Sequence, residues 1–280
     1  MATIKQIQQQ LNEAENLRMV ASAFTEIAAQ KLQKIRAGIE RNRKFFTEIS
    51  GIAHIVNVAA HQRHITIPFK KSGTVSVILT SNHHFFGDIE DKLIKFFMDN
   101  TTQFPTDRIL VGATAINHLK TLNYPYQFKT FMLKEDLPTY QELKALSSEI
   151  INYSQISVYY SRMQSVVIQN PHVVDLVQKP PEAYIAQKGE VLSYIFEPEL
   201  RKMLDFFDDQ VVSLLLEQTF LESELARTAS RLMSMDQAQI NADDILHQQK
   251  LLLGQAKKAE INLGLLETAA SLMNFRQKEN

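Results

Sequence analysis

The chain contains no cysteine and no tryptophan among its 280 residues. Disulfides, thiolate metal sites and a thiol nucleophile are therefore excluded. Neither sign of charge prevails. Thirty basic residues face 31 acidic ones for a net charge of −1, so no global field draws in nucleic acid or anionic lipid. No apolar run reaches the roughly 20 residues needed to span a bilayer. The N-terminus has neither the apolar core of a signal peptide nor the Arg-rich, acid-poor pattern of a transit sequence. Glycine is scarce at eight residues, and none falls in a P-loop, a G-x-G-x-x-G or a G-x-S-x-G motif. Proline is confined: all eight lie between Pro68 and Pro198.

That confinement leaves two long proline-free arms, and each predicts a long helix. In the first, apolar residues recur at Ile4, Ile7, Leu11, Ala14, Leu17, Ala21, Phe24, Ala28, Leu32, Ile35 and Ile39. Steps of three and four make one apolar stripe. Ser50-Gly51 reads as a kink or stop, with resumption to about Ala60 allowed. In the second arm the series runs Leu225, Ala229, Leu232, Met235, Ala238, Ala242, Ile245, then Leu252, Ala256, Ala259, Leu263, Leu266, Ala270 and Met273. This near-3.5 period predicts a coiled-coil seam, with small alanines permitting close helix approach. A helix from Glu199 to Phe275 would be roughly 115 Å long at about 1.5 Å per residue, and needs a partner along its length.

Between the arms, strand and helix signals alternate. Val75–Thr80, Arg108–Val111, Gln127–Met132, Ile156–Tyr160 and Ser165–Ile168 read as strands. Helices are expected near Asp88–Asn100, Thr114–Leu122 and Pro138–Tyr153, and Lys179-Pro180-Pro181 as a loop. The spacing predicts a small α/β domain with some parallel pairing. Two closures fit: an antiparallel coiled coil of the two ends with this domain at its base, or an α/β domain with two ordinary flanking helices.

Catalytic chemistry does not assemble. The turn after Thr80 reads Ser81-Asn82-His83-His84-Phe85-Phe86-Gly87, too bulky for close backbone approach to a diphosphate. His83, His84 and Asp88 lack a second ligand pair, and a solvated loop explains them better. His61 and His64 read the same way. A basic stretch, Lys31, Lys34, Arg36, Arg41, Arg43 and Lys44 broken only by Glu40, could meet phosphates or an acidic protein loop, or simply form a solvated helix face. It lacks the interleaved aromatics of a nucleic-acid surface.

The motifs along the last helix carry a resemblance. Leu221-Glu222-Ser223, then Ala229-Ser230-Arg231-Leu232-Met233-Ser234-Met235, Ala238 and Asn241-Ala242 resemble the F-type ATP synthase gamma subunit family. Ala256-Lys257-Lys258-Ala259-Glu260-Ile261, Tyr194-Ile195-Phe196-Glu197-Pro198, Ala23 with Ala28-Ala29-Gln30-Lys31-Leu32, Thr80-Ser81 with Gly87, and Val158-Tyr159-Tyr160 extend it collinearly. Asn82-His83-His84, Asn262-Leu263-Gly264 and Ser22 depart from the family pattern and mark a divergent member.

The resemblance implies an α/β fold in three parts. A long antiparallel two-helix coiled coil of the N-terminal helix (1–60) and C-terminal helix (199–280) would carry a Rossmann-like α/β domain (61–198) inserted between them. It implies a non-catalytic rotor shaft of a proton-transporting complex, with no cofactor and no metal. Its partners would be three alpha and three beta subunits around one copy, the epsilon subunit and the membrane c-ring, with no nucleic acid. It would sit peripherally on the cytoplasmic side of a bacterial inner membrane, or on the matrix or stromal side in an organelle. Lys31, Arg231, Lys257 and Glu267 match positions facing the catalytic subunits, and Phe196 and Glu197 match positions near the membrane rotor ring. A non-rotating scaffold of the same fold is the alternative.

Overall fold

The computed structural model describes residues 3–62, 72–177 and 199–278. Phe196, Glu197, His64 and the Lys179-Pro180-Pro181 segment lie outside the described residues. The chain divides into two compact units: one joins residues up to Ile27 with those from Leu232 onward, and the other runs from Ala28 to Arg231.

Helix α1 (Ile4–Gln62) opens the chain and α5 (Leu200–Lys278) closes it. Helix α1 passes Ser50-Gly51 without a stop, in line with the resumption the sequence allowed. An open position explains this: a Cβ at Gly51 would meet nothing within 4 Å, and one glycine costs a helix only about 1 kcal/mol. The buried positions of α1 include Ile7, Ala14, Ala21, Ala28, Ile35 and Asn42, seven apart throughout, the spacing of a coiled-coil seam. Leu17, expected in the stripe, is instead half exposed, because the strict heptad passes through Ala14 and Ala21.

In the first unit, Ala242 and Leu246 are the buried seam residues of α5, and Arg18 Nε pairs with Asp243 Oδ1 at 2.8 Å. Leu246 takes the place expected for Ile245, which faces outward. The continuation read through Ala259, Leu263, Leu266 and Ala270 forms no seam among the described residues. Every residue from 257 to 271 is exposed, and a seam exists only where a second helix faces it. The side chain of Met273 is outside the described ones.

In the second unit, the two helices run antiparallel. Leu32, Ile35 and Ile39 of α1 cluster with Leu225 and Ala229 of α5, while Ala53 and Val56 cluster with Leu200, Leu204 and Phe207. Between them lie β1 (Thr74–Leu79), α2 (Ile89–Thr101), β2 (Asp107–Val111), α3 (Ala113–Thr121), β3 (Lys129–Phe131), α4 (Tyr140–Ile150), β4 (Gln155–Met163) and β5 (Gln169–Asp175). The sheet order is β3-β2-β1-β4-β5, parallel except for the antiparallel β4–β5 hairpin. Residues 165–168, expected as a strand, form the hairpin turn, where Ile168 N–H donates to Ser165 O at 3.2 Å. The strand itself begins at Gln169 and pairs with Met163.

Both faces of the sheet are covered, which is why its strands read as continuous apolar runs. Ile78, Leu110 and Tyr159 meet Leu93, Ile94 and Phe97 of α2 and Ala115, Ile116 and Leu119 of α3. On the other face, Val75, Val77, Leu79, Ile109, Val111 and Val158 meet Leu146 and Ile150 of α4 and Val212, Leu216 and Phe220 of α5. Each of these side chains contributes about 1.5–3 kcal/mol on burial. Helix α5 is thus a layer of the α/β sandwich as well as a seam partner. A capping box at Thr139 and Glu142 starts α4.

Gly112, between β2 and α3, sits at φ 94°, ψ 153°, a region open only to glycine, and a Cβ there would collide with the Thr80 carbonyl. Gly112→Ala is expected to lower stability by about 3 kcal/mol. Gly254→Ala, in open space on α5, should raise helix stability by about 0.5–1 kcal/mol. Thermal unfolding of the two variants checks both signs.

Candidate functional site

In an open parallel sheet of this kind, ligands bind in the crevice at the carboxyl ends of the strands, where strand order reverses. Here that point lies between β1 and β4. The chain fills it with its own groups. The first amides of α3 are already engaged: Ala113 N–H donates to Asn82 Oδ1 (3.0 Å), Thr114 N–H to Ser81 O (3.1 Å) and Ala115 N–H to Thr80 Oγ1 (3.1 Å). A helix N-terminus that would otherwise attract a phosphate is satisfied by protein oxygens. Glu90, near the start of α2, accepts from Ser81 N–H at 2.7 Å and Ser81 Oγ–H at 2.9 Å.

Over this edge lies the stretch of α5 from Ser223 to Arg231. Arg227, with about 1% of its surface exposed, donates from Nη2 and Nε to Glu224 Oε2 at 2.7 and 3.1 Å, and from Nη1 to Ser223 Oγ at 3.0 Å. Its Nη2 also reaches the Asp136 carbonyl at 3.5 Å. The Glu224 side chain is fully buried, and its other oxygen pairs with Lys31 Nζ of α1. The Asp136 carboxylate accepts from Asn82 N–H at 2.9 Å and lies 3.0 Å from His83 Nδ1. Burial works against the charged form of Asp136. The Asn82 amide, His83 and Arg227 outweigh it and hold the carboxyl below its usual range. Burial likewise opposes the charge on Arg227, and Glu224, Glu90 and Asp136 overcome it, raising its pKa.

Lys31, Arg227 and Arg231 thus balance Glu90, Asp136 and Glu224, drawn from both terminal helices and from loops of the sheet. Such a cluster excludes ligand from the crevice and ties helix to sheet. The loop holding His83 and His84 is solvated at both histidines, as read from the sequence, while its backbone is pinned. Ser230 Oγ–H donates to Phe86 O at 2.6 Å, Arg231 Nη2 donates to His84 O at 3.0 Å, and the Arg231 guanidinium stacks 4.0 Å from the Phe86 ring centroid. Burial of Arg231 lowers its pKa, against the nearby acids.

Of the residues singled out in the sequence, Lys31 and Arg231 come together at this joint. Lys257 and Glu267 stand exposed on α5 in the other unit, and Phe196 and Glu197 are not described. Glu224, Arg227, Glu90 and Asp136 went unnoticed in the sequence. Two charges, Glu224 and Arg227, sit on the apolar face of α5, which was the available signal.

A family model described as ATP synthase matches residues 3–272. The chain belongs to that ATP synthase family. The ATP synthase gamma chain of Psychrobacter arcticus is 21% identical over 95% of this chain and 97% of its own length. That of Staphylococcus aureus is 22% identical with the same coverage. Among solved structures, the central stalk and c-ring of the Tetrahymena thermophila mitochondrial ATP synthase gives a TM-score of 0.60 at 16% identity, covering 78% of this chain and 99% of that one. The Euglena gracilis mitochondrial ATP synthase gives 0.57 at 14% identity, covering 90% and 97%. The mixed α/β fold with two long terminal helices is the fold of those ATP synthase structures.

Removing Arg227 would leave Glu224 buried beside Lys31 alone. Arg227→Ala is expected to cost about 3–5 kcal/mol, and Lys31→Ala distinctly less, as read by urea unfolding. Asp136 has a folded pKa below its unfolded value, so it stabilises the protein above the unfolded pKa, and this is lost as pH falls through the folded pKa. Asp136→Asn should be less stable at neutral pH, with the gap closing in acid. A constant gap across a pH series would contradict the assignment.

Proposed function

We propose that this chain is the central-stalk shaft of a rotary ATP synthase, a non-catalytic subunit that couples rotation to nucleotide chemistry in a surrounding ring of alpha and beta subunits. The carrying observation is the state of α5 from Lys257 to Ser271. Every residue there is exposed, Ile261, Leu263, Leu265 and Leu266 among them, with Leu263 at 62%, and this stretch has no facing helix among the described residues. Apolar surface spread around one helix calls for a partner that encloses it. Three alpha–beta pairs around one copy supply such an enclosure. An asymmetric shaft favours one conformation of the neighbouring subunit over the others, and turning it moves that preference.

Lys257 and Glu267, on this exposed stretch, are assigned to contacts with the ring. Arg231 is assigned to the catalytic subunits through the pinned His84 loop. Lys31 is 35% exposed and can meet a second carboxylate while paired with Glu224. Phe196 and Glu197 are assigned to the c-ring end, with the epsilon subunit as a further partner. None of the described helices is long and apolar enough to cross a membrane, and a peripheral position on the cytoplasmic, matrix or stromal side is proposed. The three-part division at 1–60, 61–198 and 199–280 follows the same logic of shaft and base.

Co-expression with its alpha, beta and epsilon subunits should recover one copy per three alpha–beta pairs. Leu263→Asp with Leu266→Asp should lower ATP synthesis at least tenfold while the fold of Ala28–Arg231 persists by circular dichroism. Recovery of the chain free of alpha and beta would favour the scaffold reading instead.

A further inference from the structure

Between α1, the β4–β5 hairpin and α5 lies a cleft of about 310 Å³, away from the joint described above. Its floor is apolar, from Ile39, Met163 and Leu225, and its walls carry Arg36, Arg43 and Arg162. Arg36, Glu40 and Arg43 fall four and three residues apart on α1, so they share one helix face. Arg162 reaches in from the end of β4.

The carboxylate beside Arg43 and Arg162 is Glu222, and its hydrogen bonds are made elsewhere. Tyr160 O–H donates to Oε2 at 2.9 Å and Gln218 Nε2 donates to Oε1 at 2.8 Å. Arg43 Nη2 and Arg162 Nε stop 3.8 and 3.9 Å away, beyond hydrogen-bond length. Their side chains line the cleft, 62% and 53% exposed, and meet Glu222 through charge rather than through a hydrogen bond. Three guanidiniums against Glu40 and Glu222 leave one positive charge in excess. His172, edge-on to Tyr160, is held below the usual histidine range by burial first and then by the charge of Arg162, with Glu222 opposing.

We propose that this cleft binds an oxyanion of the phosphate class, held by Arg36, Arg43 and Arg162. The planar fork of arginine matches phosphate oxygens, and forks arriving from two separate elements suit a tetrahedral dianion better than a planar carboxylate. The volume admits a phosphate or diphosphate group, free or as part of a nucleotide. The site is independent of the shaft reading, since it needs only the fold of Ala28–Arg231.

Isothermal titration of the full chain at low salt, with inorganic phosphate, pyrophosphate and ADP in turn, tests it. Saturable binding at millimolar or lower concentration is expected. Arg162→Ala should weaken it about tenfold, with partial recovery in Arg162→Lys. Tighter binding of ADP than of pyrophosphate would identify a nucleotide, and equal binding a phosphoryl group alone. The proposal is overturned by absence of saturable binding, or by binding unchanged in Arg36→Gln/Arg43→Gln/Arg162→Gln whose melting temperature matches the parent. It is also overturned if phosphate leaves when alpha and beta subunits are added, which would make the cleft a protein contact.

Discussion

Arg227 holds one of the few charges in this molecule that water does not reach. An isolated ion there would be prohibitive, and burial of a charge is tolerated only with partners in good geometry. Glu224 supplies the countercharge one turn away, Lys31 shares that carboxylate from α1, and Asp136 offers its carbonyl from beyond β3. The cluster can exist only if α1, α5 and the loops at the sheet edge are all in register. Apolar seams alone would tolerate sliding of one helix along another, whereas a buried ion pair does not. The cluster therefore acts as a registry device: it sets which turn of each helix lies over which loop of the sheet.

The same constraint explains the absence of a ligand crevice in a sheet whose topology would ordinarily provide one. A phosphate-binding turn needs small residues and free amides at a helix N-terminus. Here Thr80, Ser81 and Asn82 consume the amides of α3, and Phe86, nearly fully buried, is clamped by Ser230 and Arg231. The edge became an attachment surface. Hydrogen bonds and charges there join the α/β domain to α5.

Helix α5 does three different jobs along its length, and its residues change accordingly. Val212, Leu216 and Phe220 cover a sheet. Leu225, Ala229 and Ala242 face a helix, and the two alanines permit close approach. From Lys257 to Ser271 no face is buried, and Leu263, Leu265 and Leu266 are all exposed. Periodicity alone reads the second and third segments alike. What separates them is only where the opposing helix ends.

Much of this architecture was legible in advance. Confinement of proline to the middle, the three-and-four steps of both arms, and runs such as Val75–Thr80 follow from local sterics and from the covering of both sheet faces, so they are written in the chain. The tertiary structure decided the rest. Leu246 rather than Ile245 enters the seam because that depends on a helix distant in sequence, and where β5 begins is fixed by its pairing with β4. The charge cluster was invisible for the same reason. Lys31, Glu90, Asp136 and Arg227 are scattered along nearly 200 residues, and nothing in a linear pattern says which ions will meet once water has been removed from between them.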